Sequence, residues 1–446
     1  MFTYSDSQLS EVAQEALHQA KLVGASAAAV DVSESSGLSI NVRRKKTETI
    51  EQNRDKGLGI TVYIGQRKGN ASTTDFSKAA IAQTVNAAYQ IARYTGEDDC
   101  AGLPEVELLE KKPKDLDLFK PWDVSPEQAI ALAIEAETAA FDVSPMIKNS
   151  DGASVNVHHG HFVSANSLGF SGGYRYSRQT LAVAPIAKLG RDMQRDDWYS
   201  SARGFSGLAL PKSIGEYAAK RALAKLNARK VATGNFPVLF ESPLACGLLG
   251  SFVQAVSGGS LYRGTSFLVD SLGKQIFAKH IDVLEDPHII GAFGSSPFDD
   301  EGVKTKKRNV VTKGEVNGYF LSTYSARKLK MQTTGNAGGS HNLRLSSRKT
   351  ESSDTLARMI RNMGTGLFVT DLMGQGINYV TGDYSRGASG FWVENGRIQY
   401  PVEEITIAGN LKQMFAGIAA IGSDEITRGS KTTGSILIDS MAIAGN

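Results

Sequence analysis

The chain has 446 residues, of which 41% are hydrophobic and 21% charged, and its 49 basic and 46 acidic residues give a net charge of +3. This balance excludes extensive disorder and offers no large basic surface, so nucleic acid is disfavoured as a partner. The length predicts two domains, and the absence of a signal-peptide pattern or of an apolar run of roughly 20 residues predicts a cytoplasmic protein without membrane contact.

Residues 1–230 predict a mixed α+β domain. Helices are predicted where apolar residues recur at helical spacing or a cap is present, at Leu9–Ala20, Ser77–Tyr94, Ser125–Phe141 and Pro211–Arg229. Strands are predicted at Ala28–Val32, Leu38–Arg43, Thr47–Glu51, Leu58–Ile64, Val155–Val163 and Tyr176–Leu189. The Thr233-Gly234-Asn235 turn signal places the domain boundary after residue 230.

Residues 231–446 predict a β-rich, meander-like or barrel-like domain with a few helices. A strand at Phe236–Phe240 is followed by a helix that begins at Ser242-Pro243 and runs to Phe252. Hairpins are predicted at Lys313-Gly314 and Asn317-Gly318. A helix at Leu411–Ile421 and a strand at Ser435–Ile438 complete the domain. The fold class is therefore α+β in two domains.

The run from Gly364 to Asn410 predicts the central β meander. Its strands are expected at Leu367–Thr370, Gly390–Glu394 and Arg397–Tyr400, and Asn395-Gly396 is the signature of a tight hairpin. A dinucleotide cradle is disfavoured, because Tyr379 stands where the third glycine of GxGxxG belongs after Gly374 and Gly376.

His158, His159 and His161 form the cluster that most resembles a metal site. On a strand His159 and His161 share a face, whereas His158 points the other way. The sequence identifies no third ligand nearby. The favoured interpretation is therefore hydrogen-bonded histidines on a partly buried strand, with a metal site as the alternative.

Two further motifs are interpreted as turns. Gly169–Gly173 formally matches GxSxG around Ser171, but a strand-like run follows it instead of the helix that a nucleophile elbow needs. Asp299-Asp300-Glu301-Gly302, with His280 and His288 upstream, lacks the alternate-residue spacing of a calcium loop. Cys100 and Cys246 lie too far apart in the chain to suggest a CxxC site.

Eight segments of the second half carry a resemblance to the TldD/PmbA family of peptidases, and in particular to its PmbA branch, also called TldE. They are LVDSLGKQI (268–276), PFDDEG (297–302), STYSARKL (322–329), TGNAGG (334–339), MGTGL (363–367), TDLMGQG (370–376), TGDYSRGASGFWVENGRIQYPV (381–402) and EITIAGNL (404–411).

The resemblance implies a zinc peptidase fold whose ligands are missing here. In the TldD branch a helix carries HExxxH and a late cysteine completes the zinc site. When the HExxxH motif is aligned with Val238–Gly250, its two histidines correspond to Glu241 and Cys246 and its glutamate to Ser242. The late cysteine corresponds to a position near Thr433. No catalytic residue is therefore expected in this chain, because a serine hydroxyl cannot replace the carboxylate as a base near neutral pH. Metal binding by Glu241 and Cys246 together is the alternative; it is disfavoured because a helix that begins at Pro243 leaves Glu241 outside it, and Cys246 is interpreted as a small buried hydrophobe, so no metal ligand is expected.

The resemblance then implies a function as a subunit. This chain is expected to bind substrate and to assemble with a TldD-like partner that holds zinc, so that the pair cleaves or matures unfolded peptides. The expected peptide-binding residues of the meander are Gly374, Gly376, Asp383, Gly387, Gly390 and Trp392. Without the partner a homodimer is expected. The alternatives are a non-proteolytic regulator of the DNA gyrase modulator type and an independent hydrolase using Ser171.

Overall fold

The computed structural model describes residues 2–445, which form two compact units. The first unit comprises the chain up to Leu223 together with Ile290–Ala292 and Pro297–Thr305. The second comprises Ala224–Ile289, Phe293–Ser296 and the chain from Lys306 onward. Both units combine helices with sheets, which confirms the predicted α+β class. Within residues 2–445, no helix has the length and apolar character needed to cross a membrane.

The first unit is built on one seven-stranded antiparallel sheet. Its strands are β1 (Ala27–Arg43), β2 (Lys46–Ile64), β3 (Arg67–Thr73), β4 (Ile147–Asn166), β5 (Ser171–Leu189), β6 (Asp192–Arg195) and β7 (Trp198–Ala202). Its helices are α1 (Asp6–Leu22), α2 (Lys78–Tyr94), α3 (Pro126–Asp142) and α4 (Pro211–Ala224). The strand order is β3-β2-β1-β4-β5-β6, and β7 also pairs with β5.

The long strands of this sheet correct the sequence prediction. The two short strands expected on either side of Gly37 are one strand, β1, and those on either side of Gly57 are likewise one strand, β2. The polar residues between them stay extended because β1 is paired on both sides, with β2 across Ala27–Arg43 and with β4 across Ala29–Val42. Strand pairing of this kind comes from distant residues, so the local sequence pattern does not predict it.

The helices α2 and α3 begin where the sequence predicts, whereas α1 begins at Asp6, before the predicted Leu9. Ser77 and Ser125 cap α2 and α3 through their side chains, and Gly24 follows α1 with φ of +87°. Ile81, Val85, Ala88 and Ala92 form the buried face of α2. One further bound differs from the prediction. The helix α4 ends at Ala224 instead of Arg229, and Asn227 beyond it takes a left-handed φ of +62°.

The second unit contains two sheets. Its strands are β8 (Gly234–Phe240), β9 (Ile281–Asp286), β10 (Arg308–Thr312), β11 (Glu315–Val316), β12 (Asn342–Ser347), β13 (Gly366–Met373), β14 (Ile377–Asn378), β15 (Asp383–Glu394), β16 (Arg397–Asn410), β17 (Ile418–Ile421), β18 (Ile426–Arg428), β19 (Lys431–Thr433) and β20 (Ile436–Ala444). Its helices are α5 (Ser242–Ala255), α6 (Gly258–Tyr262), α7 (Thr323–Lys328), α8 (Leu356–Met363) and α9 (Leu411–Ala416).

One of these sheets closes into a barrel. Strand β13 pairs with both β8 and β15, so the order β13-β8-β20-β16-β15 returns to its start. The second sheet has the order β11-β10-β9-β12-β19-β18. Apolar side chains of both sheets pack around α5 in the main core, whereas α8 covers another face with Leu239, Phe368 and Leu437. This arrangement confirms the predicted barrel-like character of the second half.

Turn chemistry in the second unit is confirmed at two hairpins. Asn395 and Gly396 both have positive φ, as do Lys313 and Gly314, and each pair joins two antiparallel strands. Two other predictions are wrong. Asn317-Gly318 does not join two strands, and the helix expected at Leu411–Ile421 ends at Ala416. Residues Ile418–Ile421 form β17 instead, because they pair with β20.

Candidate functional site

The helix α5 occupies the position that the resemblance assigns to the zinc-binding helix. It begins after Glu241, whose backbone N–H donates to the carbonyl oxygen of Val369 on β13 at 3.0 Å. Ser242 and Pro243 open the first turn. Eight of its residues are buried, so α5 is a core helix with little contact with water.

A hairpin formed by β18 and β19 brings the late position of the motif to this helix. The Cys246 sulfur lies 3.4 Å from the Lys431 carbonyl oxygen and 3.8 Å from that of Ile426, and it donates to both. The backbone N–H groups of Arg428 and Thr433 also bond to this sulfur. The structure therefore places Cys246 and Thr433 side by side, although they are far apart in the sequence.

The side chains at the four motif positions are buried, and the partly buried cations Arg428 and Lys431 lie near the thiol. Burial raises the pKa of the Cys246 thiol, so the thiol stays protonated near neutral pH. The Thr433 hydroxyl is fully buried and has no hydrogen-bond partner within residues 2–445. Glu241 and Ser242 are each 7% exposed.

This donor set does not fit zinc. A structural or catalytic zinc site uses thiolate, imidazole or carboxylate ligands, usually three or four of them. Here one carboxylate, one protonated thiol and two hydroxyls occupy the four positions of the motif. Elsewhere in the described chain, ligand atoms of three such residues converge only at Asp98, Asp99 and Cys100, which are consecutive residues of the first unit.

The buried thiol leads to a testable expectation. In a Cys100→Ser variant, Cys246 is the single remaining cysteine, and we expect a thiol reagent to modify it at least about a hundredfold more slowly in the native protein than in urea. Added zinc should not change the native rate. The measurement is the absorbance of the released reporter group as a function of time.

A surface cysteine provides the matched control for this experiment. Ser385 is an exposed residue of β15, so Ser385→Cys in the same background adds a second, accessible thiol. In the native protein this added thiol should react at the rate measured for unfolded protein. Rapid native modification of Cys246, or protection of Cys246 by stoichiometric zinc, would contradict the neutral-thiol assignment.

The structure divides the six expected peptide-binding residues into two groups. Gly374 has φ of +79° and open space around it, and Asp383 is exposed at the start of β15. The Asp383 carboxylate accepts hydrogen bonds from Thr381 Oγ1 and Asn410 Nδ2, which lower its pKa. A side chain at Gly387 would meet only Met373, at 3.3 Å from its Cβ. These three positions are accessible to a ligand.

The other three residues serve the barrel itself. A Cβ at Gly376 would lie 1.7 Å from the Ser385 carbonyl oxygen, and one at Gly390 would lie 2.0 Å from that of Phe368. Both glycines therefore allow close approach of two backbones. Trp392 is 7% exposed, donates from its indole N–H to Glu394 and packs edge-on against Phe236. Its ring offers no free face to a ligand.

The three histidines do not converge on one site. His161 is buried, and its ring nitrogens lie 3.0 Å from Asp6 Oδ1 and 3.1 Å from Glu34 Oε2. His159 Nε2 instead accepts the backbone N–H of Trp122. Burial lowers the pKa of both His158 and His159. The hydrogen-bonded interpretation is supported for His161, whose two ring nitrogens are both engaged, and for His159 Nε2.

The two remaining motifs form turns, as predicted. Gly169 has φ of +93° in the turn between β4 and β5, and Ser171 opens a strand instead of a helix. Asp299 accepts the backbone N–H groups of Glu301 and Val303 through Oδ1, which closes the turn around Gly302. In the second unit, both His280 ring nitrogens are engaged, by Ser347 Oγ and by the Ile418 carbonyl.

A buried charge network in the second unit was not predicted. Glu285 of β9 is 1% exposed and pairs through Oε2 with Arg308 Nε at 2.7 Å. Its Oε1 accepts from Asn336 Nδ2 and from both the backbone N–H and Nδ1 of His341. Burial alone would raise the pKa of Glu285, but the His341 hydrogen bonds and the Arg308 charge lower it to about 2. Asn336, within the TGNAGG segment, is the one residue of this network that the sequence analysis had singled out.

The fold and the motif positions define a class of protein. Three family models match the chain. They describe PmbA/TldA metallopeptidase domain 1, which matches residues 28–92, the central domain, which matches residues 119–226, and the C-terminal domain, which matches residues 233–445. The chain therefore belongs to the PmbA/TldD family of metallopeptidases.

Within that family the similarity is strong to proteins named PmbA. The chain is 48% identical to Metalloprotease PmbA of Escherichia coli O157:H7, over 94% of this chain and 92% of that protein. It is 45% identical to a PmbA homolog of Haemophilus influenzae, over 99% and 97%.

Solved structures share the whole fold. A crystal structure from Bacteroides thetaiotaomicron, assigned provisionally as a modulator of DNA gyrase, is 27% identical with a TM-score of 0.92, and it covers 99% of this chain and 100% of its own. TldE of Thermococcus kodakarensis, at 19% identity, shows the same fold with a TM-score of 0.85, over 97% and 100%.

Proposed function

We propose that this chain is the subunit without zinc of a two-component metallopeptidase, in which a TldD-like partner holds the metal. The observation that carries the proposal is the contact between α5 and the β18–β19 hairpin. The scaffold that would gather four zinc-site groups is present, but Glu241, Ser242, Cys246 and Thr433 stand at those positions. Relatives named TldD homolog and TldE support a partner of this type.

The role of the chain in such a pair is to bind extended peptide. An unfolded peptide can pair with a sheet edge through its main chain, a mode that depends little on side-chain identity. We assign the peptide to the edge of the short strand β14, which is the last strand of its sheet, and to the adjoining surface of Gly374, Asp383 and Gly387, where Asp383 adds a carboxylate. Gly376, Gly390 and Trp392 support this surface from the barrel. The chain functions in the cytoplasm and forms a homodimer when the partner is absent.

Co-expression tests the division of labour. The chain and a TldD-like protein are purified separately and together, and the zinc content and the cleavage of an unfolded peptide are measured for each sample. We expect the two proteins to co-purify, with zinc and cleavage in the pair and no stoichiometric zinc in this chain alone. Cys246→Ala in this chain should leave the zinc content of the pair unchanged.

Zinc binding and peptide cleavage by this chain alone would contradict the proposal. If the chain alone binds one zinc per molecule and cleaves the peptide, and if Glu241→Ala or Cys246→Ala abolishes both, the proposal is wrong. A bulky substitution at Gly387, such as Gly387→Leu, should weaken cleavage by the pair while the zinc content stays constant. Unchanged cleavage by a folded Gly387→Leu pair would count against the assigned peptide surface.

The second candidate function is a non-proteolytic regulator of DNA gyrase. It is favoured by the provisional assignment of the Bacteroides thetaiotaomicron structure. The net charge of +3 supports action through protein contacts more than through direct DNA binding. A change in supercoiling by purified gyrase on adding the chain, without any cleavage by the pair, would favour this candidate.

A further inference from the structure

Within residues 2–445, one half of β2 has no neighbouring strand on its outer side. The strand β3 pairs only with Leu58–Ile64 of β2, so residues 46–57 form an open edge of the first sheet. At about 3.3 Å per residue, this edge is about 40 Å long. Long open edges are unusual in soluble proteins because their unpaired N–H and C=O groups can pair with another chain.

Side chains of the open edge are exposed on both faces of the sheet. Every residue from Lys46 to Asp55 is exposed, although a strand normally buries alternate side chains. Ile50 is 52% exposed, whereas its partner on β1, Ile40, is fully buried. Arg54 forms no ion pair within residues 2–445. These features are typical of a strand whose partner is another molecule.

The hairpin between β2 and β3 determines which backbone groups are free. Ile64 and Arg67 flank a two-residue turn and are paired, so the backbone groups of Ile64 point toward β3. Alternation along β2 then directs the groups of the even-numbered residues to the same side. The register with β1 is regular down to Thr49, so Ile50, Gln52 and Arg54 present their N–H and C=O groups to the open edge.

We propose that this open edge pairs antiparallel with the same edge of a second copy of the chain, about a two-fold axis at Gln52. The assignment rests on the homodimer of the proposed function and gives it a defined interface. A two-fold axis perpendicular to the sheet places even-numbered residues opposite even-numbered residues, and odd-numbered residues opposite odd-numbered ones. With the axis at Gln52, the regular pairs use residues 49–55, because the register with β1 is irregular at Glu48.

The avoidance of like-charged pairs selects this register. With the axis at Gln52, Thr49 lies opposite Asp55 of the second copy, Ile50 opposite Arg54, and Glu51 opposite Asn53. Moving the axis to Glu51 would place two Glu51 side chains opposite each other. Moving it to Asn53 would place Glu51 opposite Asp55. The Gln52 register is the longest one that avoids like-charged pairs, which are destabilising across strands.

Substitutions on the open edge test the pairing by sedimentation of the purified chain at several concentrations, without a TldD-like partner. Gln52→Pro removes a backbone N–H that points outward and leaves the hydrogen bonds to β1 intact. We therefore expect the dissociation constant of the dimer to rise about tenfold or more. Gln52→Ala keeps the N–H and should dimerise as the wild type does. Circular dichroism and the Tm verify that each variant is folded.

A charge pair at Ile50 gives a second test that does not depend on proline. Ile50→Lys places a cation opposite Arg54 of the second copy and should weaken the dimer, whereas Ile50→Glu should strengthen it. A wild-type dimer that none of these substitutions alters would place the interface elsewhere and overturn the proposal. The proposed peptidase function would survive that result, because zinc and cleavage are measured on the pair.

A monomeric wild-type chain would also overturn the self-pairing. If Gln52→Pro then weakened binding to a TldD-like partner, the open edge would belong to that partner instead of a second copy. If Gln52→Pro had no effect on that binding either, the edge would have no role in assembly.

Discussion

Glu285→Gln is expected to destabilise the second unit by about 3 to 5 kcal/mol. The substitution leaves the Arg308 side chain, which is only 17% exposed, beside a neutral amide, and breaking a buried ion pair by removing one charge has a cost of this size. Arg308 also donates to the Tyr319 carbonyl and to Asn336 Oδ1, so the loss extends to the TGNAGG segment. Urea unfolding followed by Trp392 fluorescence, in a background with the other two tryptophans replaced, measures the change.

The same carboxylate makes the stability depend on pH in a defined direction. Its pKa falls from 4.5 to about 2 on folding, so its contribution is fully present well above pH 4.5 and is lost as the pH falls toward 2. The wild type should lose about 2 kcal/mol of its advantage over Glu285→Gln between pH 7 and pH 3. Unfolding curves of both proteins across that range give the difference directly.

Glu315→Gln is the matched control. Glu315 is an exposed residue of β11 in the same sheet, so its substitution should change the free energy of unfolding by less than about 0.5 kcal/mol at any pH. A Glu285→Gln protein as stable as the control, or a difference that does not vary with pH, would show that the network contributes little.

Gly390→Ala is expected to disrupt the barrel, with a loss of about 3 kcal/mol or more. The added Cβ would lie 2.0 Å from the Phe368 carbonyl oxygen, and that oxygen belongs to the backbone of the paired strand β13. A backbone atom cannot move aside as a flexible side chain can, so the ladder between β13 and β15 must shift. The measurements are the yield of soluble protein and the urea midpoint.

Gly387→Ala provides the comparison on the same strand. Its Cβ would meet the Cβ of Met373 at 3.3 Å, and Met373 is 51% exposed and adaptable, so a change below about 1 kcal/mol is expected. Equal stability of the two variants would refute the close-packing argument for Gly390. The contrast also explains why Gly387 is the better probe of peptide binding, because an effect of Gly390 variants on cleavage would report on folding.

Features encoded within a few residues were predictable from the sequence. Ser77 and Ser125 marked the starts of their helices, and Asn395-Gly396 marked its hairpin. Features that depend on distant partners were not. The residues Ile418–Ile421 have helical periodicity in sequence, yet β20 recruits them as a strand. The polar residues around Gly37 and Gly57 gave no strand signal, yet pairing keeps them extended.

The candidate site follows the same division. The sequence by itself determined which side chains stand at the four motif positions, and therefore that only Glu241 and Cys246 are of a zinc-binding type, because ligand chemistry is a property of residue type. Only the tertiary structure decided that Cys246 and Thr433 touch, that Trp392 and Gly390 belong to the barrel wall, and that half of β2 is left open. Burial and strand pairing are set by residues far apart in the chain, and no local pattern specifies them.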